Sequence, residues 1–199
     1  MINQVMVMRF ALKALAAVLA AIAVATGPAA TAAPPFPVIG KAAPDFTLTS
    51  QSGAPVRLGQ FRGRLVVLDF IYTHCTDVCP LVTANLARVQ RDLTVRGWWV
   101  RDVVFVSVTT DPARDTPGVL RTYARRYQAD PRGWSFLTGP ERTLAAVYKA
   151  YGIVVRPASQ GLQEHALPVF VIDRRGVVLG AYGYDFKPAD MLNDLAHLR

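Results

Sequence analysis

Apolar and polar positions along the 199 residues repeat with two different periods. Leu65-Val66-Val67-Leu68-Asp69-Phe70-Ile71-Tyr72 is an almost unbroken apolar run of strand length, the pattern of a strand buried on both faces. Leu81, Val82, Leu86, Val89 and Leu93 then recur mostly three and four apart until Gly97, which predicts an amphipathic helix with a glycine stop. Pro80 suits the first turn of that helix, where its missing amide proton is not needed. Residues 103–108 predict a second buried strand, 111–117 a loop ending in a cap signal, and 119–127 a helix. A short strand follows at 134–137, and a helix at 141–151 stops at Gly152. Residues 169–173 and 177–179 flank Arg174-Arg175-Gly176, a hairpin signal, and a last helix spans about 189–198. Near the start, 46–48 and 56–58 flank the turn-like Gln51-Ser52-Gly53-Ala54. Strands alternating with helices, closed by a hairpin and a helix, predict an α/β sandwich: a mixed central sheet flanked by helices, with an N-terminal hairpin extension.

The chain before this pattern is of another kind. Arg9 and Lys13 precede an apolar run over 14–25, and Ala30-Thr31-Ala32 offers small residues for cleavage, which is the layout of a secretory signal peptide over 1–32. The uninterrupted run is short for a bilayer, which needs about 20 apolar residues, so an uncleaved anchor is the lesser reading. A Pro-rich linker at 33–39 leads into one domain, 40–199, long enough for a sizeable core. The expected location is exported and periplasmic, with the membrane met only through a partner or an uncleaved leader. Cysteine pairs persist as disulfides in such a compartment. Arg9 and Lys13 account for two of the formal +8 charges, leaving +6 on the domain. Its arginines are scattered without a dense basic run, so nucleic acid is not an expected partner.

Both cysteines lie in FIYTHCTDVCP, as Cys75 and Cys79. Such a pair can be a structural disulfide, a redox switch or half of a metal site. An inert disulfide would close only a tiny loop and restrain the unfolded chain little. Between a strand and a helix start, amide protons and the helix dipole favour thiolate, a better ligand and a more available nucleophile. Two soft thiolates suit Cu(I), and an added imidazole suits Cu(II) as well. Of the three histidines, His74 adjoins Cys75 but its side chain is expected to diverge, and His197 fits a cap at the end of the last helix. His165, in a loop before the strand at 169, is the remaining candidate. Asp111, Asp115 and Thr116 read as a strand end and helix cap, Asp77 as a loop residue or a group tuning the thiols, and Trp98-Trp99 as packing between helix and strand.

Tyr72 to Pro80, the later Val106-Ser107-Val108-Thr109-Thr110-Asp111-Pro112-Ala113-Arg114-Asp115-Thr116-Pro117, and Glu164-His165 ahead of a strand together resemble the Sco/SenC family of copper-binding, thioredoxin-like proteins. The resemblance implies a thioredoxin-like sandwich in which the loop of His165 packs beside the cysteine loop. It also implies copper bound by Cys75, Cys79 and His165 for assembly of the dinuclear copper centre of cytochrome c oxidase. Expected partners are a copper-accepting protein such as cytochrome c oxidase subunit II, other periplasmic copper chaperones, and thiol reductants. Two positions depart from the pattern. Thr76 stands where the family usually has proline, which alters loop stiffness more than ligand type. Pro168 is similar to the cis-proline of thioredoxins and TlpA-like reductases, where it shapes a surface for a substrate cysteine; an ordinary strand-start proline is the plainer reading.

The leading expectation is a copper metallochaperone. The alternative is a thiol-disulfide reductase using Cys75 and Cys79, with the copper-accepting cysteines of the same target as its substrate. A peroxide-reducing thiol enzyme ranks third: Thr76-Asp77-Val78-Cys79-Pro80 fits part of that pattern, but Tyr72 stands where it requires proline.

Overall fold

The computed structural model describes residues 36, 38–157, 163–165 and 168–199, with the side chains of 157 and 163–165 left out. The central strand, β3 (Leu65–Ile71), has all seven residues buried, Asp69 included, as its nearly unbroken apolar run requires. It pairs in parallel with β4 (Val103–Thr109), which pairs in parallel with β5 (Trp134–Thr138). On its other side β3 meets β8 (Val169–Ile172) antiparallel, and β8 pairs with β9 (Val178–Tyr182). The predicted N-terminal hairpin is present as β1 (Thr47–Ser50) and β2 (Pro55–Arg57), and β1 joins the sheet against β5. The sheet order is therefore β2-β1-β5-β4-β3-β8-β9.

Alternation along the strands sorts side chains onto two faces. Leu65, Val67 and Ile71 meet Phe105, Trp134 and Phe136 on one face, under α1 (Val78–Val95), α2 (Pro117–Arg126) and α4 (Pro188–Leu198). Val66, Leu68 and Phe70 meet Val104, Val106 and Phe170 on the other, under α3 (Glu141–Tyr151). Two parallel crossovers in the same direction across the sheet, β3-α1-β4 and β4-α2-β5, put both helices on one face. Gly152 ends α3 with φ 74°, a left-handed conformation that glycine adopts at no steric cost.

Three local expectations change. Helix α1 starts at Val78, so Cys79 is helical and Pro80 stands at the third position of the first turn. Leu81 is 47% exposed: the buried stripe runs through Val82, Leu86, Val89 and Leu93, a phase that leaves position 81 on the outer edge. Residues 155–157 and 163–165 form a ladder that apolar periodicity did not reveal, β6 (Val155–Pro157) antiparallel to β7 (Gln163–His165). Among the described residues no helix is long and apolar enough to cross a membrane.

Candidate metal centre

The chain leaves the C-terminal end of β3 at Tyr72 and re-enters regular structure at Val78, so Cys75 lies in a tight loop and Cys79 in the first turn of α1. Both are free thiols. Asp77 occupies the N-cap without a side-chain cap bond, so the first-turn amides remain available to sulfur. The Cys79 N–H donates to Cys75 Sγ at 3.4 Å.

The two thiols share an address but not a proton affinity. The Cys79 thiol donates to the Cys75 sulfur, and the Asp77 and Cys79 amides and the Tyr72 hydroxyl add to that bond; together they outweigh partial burial and hold the Cys75 pKa down to about 5. Cys79 moves the opposite way, far above the usual thiol range, because it keeps the proton of that shared bond and is buried near the charges of Cys75 and Asp69. The expected lowering at a helix start thus applies to Cys75 alone. The two thiols also differ in cover: Cys75 is half-buried and Cys79 is fully covered.

The loop is pinned from below by a residue that read in the sequence as a strand end and cap. Asp115 is completely buried and accepts the Thr73 N–H at 3.1 Å and the hydroxyls of Thr73 and Thr109, each at 2.5 Å. Its own N–H donates to the Asp111 carbonyl at 2.9 Å, and the Asp111 N–H donates to the Thr109 hydroxyl at 2.9 Å. Burial raises the Asp115 pKa against these donors. Thr116 does cap α2, accepting the Val119 N–H at 3.4 Å. The sequence signal for Asp115 was its placement next to that cap, with threonines at the ends of both neighbouring strands.

Beneath α1, the Thr83 hydroxyl donates to the Cys79 carbonyl at 2.8 Å and shares a 2.9 Å hydrogen bond with the Tyr123 hydroxyl. Asp69 lies in the middle of β3 on the same face. Ser107 donates to its Oδ1, its Oδ2 has no partner among the described residues, and burial pushes its pKa up to about 7.

His165 stands on β7, opposite Val155; its side chain lies outside the described residues. The topology nevertheless limits where its segment runs. β8 is antiparallel to β3, so the N-terminal end of β8 lies beside the C-terminal end of β3, where the cysteine loop departs. Pro168 is buried directly before β8, as a strand-start proline, while Leu167 and the bond between them lie outside the described residues. His74 is exposed on the loop. His197 bonds to the Asn193 carbonyl at 2.7 Å, in keeping with its reading as a cap. Trp99 packs edge-to-face on Phe105 at 4.8 Å, as expected of packing rather than partner contact. Among the described residues no group of three or more His, Cys, Asp or Glu side chains could hold a metal.

A thioredoxin-like sheet presenting two free thiols at the start of its first long helix defines a dithiol protein, with one thiol ionised at neutral pH and one held as its proton donor. The sequence comparison narrows the class: residues 39–199 match the SCO1/SenC family model, and the chain belongs to that family. It is 30% identical over 149 residues to the SCO1 protein homolog of Bacillus subtilis, covering 73% of this chain and 76% of that one. It spans between 47% and 64% of the length of several other curated relatives. The structure of Bradyrhizobium japonicum ScoI with copper bound matches with a TM-score of 0.68 at 27% identity, covering 81% of this chain and 99% of that one. A structure reported for a disulfide switch in BsSco, described as a member of the Sco family of cytochrome c oxidase assembly proteins, matches with a TM-score of 0.68 at 26% identity, covering 79% and 92%.

Proposed function

We propose that this protein is a copper metallochaperone, which takes up copper through Cys75, Cys79 and His165 and delivers it to the copper centre of cytochrome c oxidase or a related acceptor. The observation that carries the reading is the split thiol pair at the end of the sheet where the segment of His165 enters. Cys75 meets the metal already ionised, and Cys79 gives up its proton on binding, so uptake releases a proton and weakens as pH falls. Two thiolates with one imidazole suit copper in either oxidation state. The copper held by a relative and the assembly role of another support the metal and the acceptor. The leader over 1–32 places the domain outside the cytoplasmic membrane.

The test is an anaerobic copper titration of the reduced, leader-free protein against its His165→Ala and Cys75→Ala forms. A stoichiometric site with a Cu(II) charge-transfer band, lost with either substitution, is the expected result. Unchanged affinity and spectrum in His165→Ala would remove histidine from the site.

A second reading is favoured by the asymmetry of the thiols. An ionised, half-buried Cys75 backed by a buried, protonated Cys79 is the arrangement of an attacking and a resolving thiol. A thiol-disulfide reductase acting on the cysteines of the same acceptor would keep its activity in His165→Ala without copper.

A further inference from the structure

Beside the cysteine loop runs an open groove of about 500 Å³, lined among others by Thr73, Thr116, Val119, Thr122, Tyr123 and Arg126. Thr73 stands two residues before Cys75, and Tyr123 is tied through Thr83 to the helix that carries Cys79. The groove therefore lies beside the loop that carries the half-buried Cys75 and follows α2 away from it.

Its far end is basic. Arg126 lines it; helix α2 also carries Arg121 and Arg125, which line the neighbouring cavity, and no acidic residue. Arg57, Arg101, Arg114, Arg132 and Arg175 each pair with an aspartate, but among the described residues neither Arg125 nor Arg126 has a carboxylate partner. Arg121 donates to the Gln51 carbonyl, and Arg125 reaches only the Thr122 hydroxyl, at 3.4 Å. Of the carboxylates near the groove, Asp111 is paired with Arg114 and Asp115 is buried, which leaves Asp77 on the cysteine loop as the exposed one.

The geometry points to a docking groove for an extended acidic segment of the protein that exchanges copper or disulfide with these thiols, running from beside the cysteine loop along α2 to Arg126, with Arg125 adjoining through Thr122. This rests on the reading above and adds the chemistry of the partner. From Thr116 to Arg126 the helix rises about 15 Å, a span that about five extended residues cover. Acidic side chains about five residues from the partner's reactive cysteine then lie against the two arginines.

The experiment uses short synthetic peptides, each with one cysteine held as a mixed disulfide with 5-thio-2-nitrobenzoate and an Asp pair or a Lys pair about five residues away. The Cys75 thiolate attacks the peptide sulfur, and the old S–S bond breaks as thionitrobenzoate leaves with the electron pair and is read by its colour. Cys79 then displaces the peptide thiol, so the protein dithiol is oxidised to a disulfide and the probe is reduced. Rates are normalised to those with neutral 4,4′-dithiodipyridine, which reports thiol reactivity without the groove.

At low ionic strength the acidic peptide reacts about 10-fold faster than the basic one, and the gap closes near 1 M salt, where the screening length is about 3 Å. Arg125→Glu with Arg126→Glu removes the preference. Arg142→Glu with Lys149→Glu, the same charge change on a helix of the opposite sheet face, keeps it. A wild-type ratio near one, or equal loss in both double variants, overturns the groove. Should the double variant alter the dithiodipyridine rate, Arg126→Gln replaces it and lowers the ratio about threefold. Acid preference in a protein that binds no copper overturns the chaperone reading alone; copper binding without the preference overturns the groove alone.

Discussion

Asp69 is a carboxyl group that the fold would rather keep neutral. It is 1% exposed, the Ser107 hydroxyl donates to one oxygen, and the second oxygen has no partner among the described residues. Its pKa rises from 3.8 to about 7 because burial penalises the charged form. The folded protein then holds a proton that the unfolded chain has released across that interval, so stability falls as pH rises. Below 3.8 both states are protonated and the group costs nothing; above about 7 both are ionised and the cost is complete. About three pKa units at roughly 1.4 kcal/mol each make that cost about 4 kcal/mol, a large part of a typical domain's stability.

Asp69→Asn keeps an oxygen for Ser107 and removes the titration. Urea unfolding of reduced, chelator-treated wild type and variant, from about pH 4 to about pH 8, should show the variant gaining about 4 kcal/mol on the wild type, a midpoint shift of about 2 M. The amide nitrogen without a partner adds a constant penalty, so the change with pH is the diagnostic quantity. The aspartates with lowered pKa, Asp45, Asp102, Asp130 and Asp173, act at lower pH and cancel in the difference. Midpoints that run parallel across this range would refute the reasoning.

Cys79→Ala removes the main donor to the Cys75 sulfur, so the pH midpoint for alkylation of Cys75 by iodoacetamide should move from about 5 toward 9; a midpoint left near 5 counts against the shared hydrogen bond. Asp115→Ala leaves three donors, the Thr109 hydroxyl among them buried, without their acceptor and should cost about 3 kcal/mol in urea unfolding, with faster hydrogen exchange at the Thr73 amide; unchanged exchange there would mean the loop is held by something else. Because uptake must displace the Cys79 proton, the copper affinity of wild type should weaken steadily from about pH 8 to about pH 5, followed by competition with a chelator of known affinity, and a flat profile would contradict proton release.

Most of the sheet was legible because β3 and β4 are apolar runs broken only by Asp69 and by Ser107 and Thr109, and the helix between them repeats at helical spacing. The ladder of β6 and β7 was not, since Val155-Arg156-Pro157 and Gln163-Glu164-His165 carry no alternating apolar face. At the site, spacing located Cys75 and Cys79 and the consequence of a helix start for thiolate formation. It could not divide that effect between them, because the division depends on which sulfur donates to the other and which is covered. Asp115 was visible as an acid beside a cap, but its bond to Thr73 joins residues 42 positions apart and exists only in the folded chain. The pairing of Asp69 with Ser107 across β3 and β4 was hidden for the same reason.

The strand that leads to Cys75 is flanked by β4 and by β8, and β8 begins 94 residues after Cys75 in the chain. Until that strand docks, Leu65–Ile71 has an open edge and the loop at its end lacks one of its two sides. A chain emerging in order therefore carries its thiols on an unfinished edge through most of synthesis, and completes their surroundings last. Closing such a distant pair is slow compared with forming α1. Early oxidation or stray metal capture then competes with β8 for the same unfinished end. The C-terminal hairpin acts as the timing element of this protein, and substitutions in it should alter the yield of active molecules before they alter the finished site.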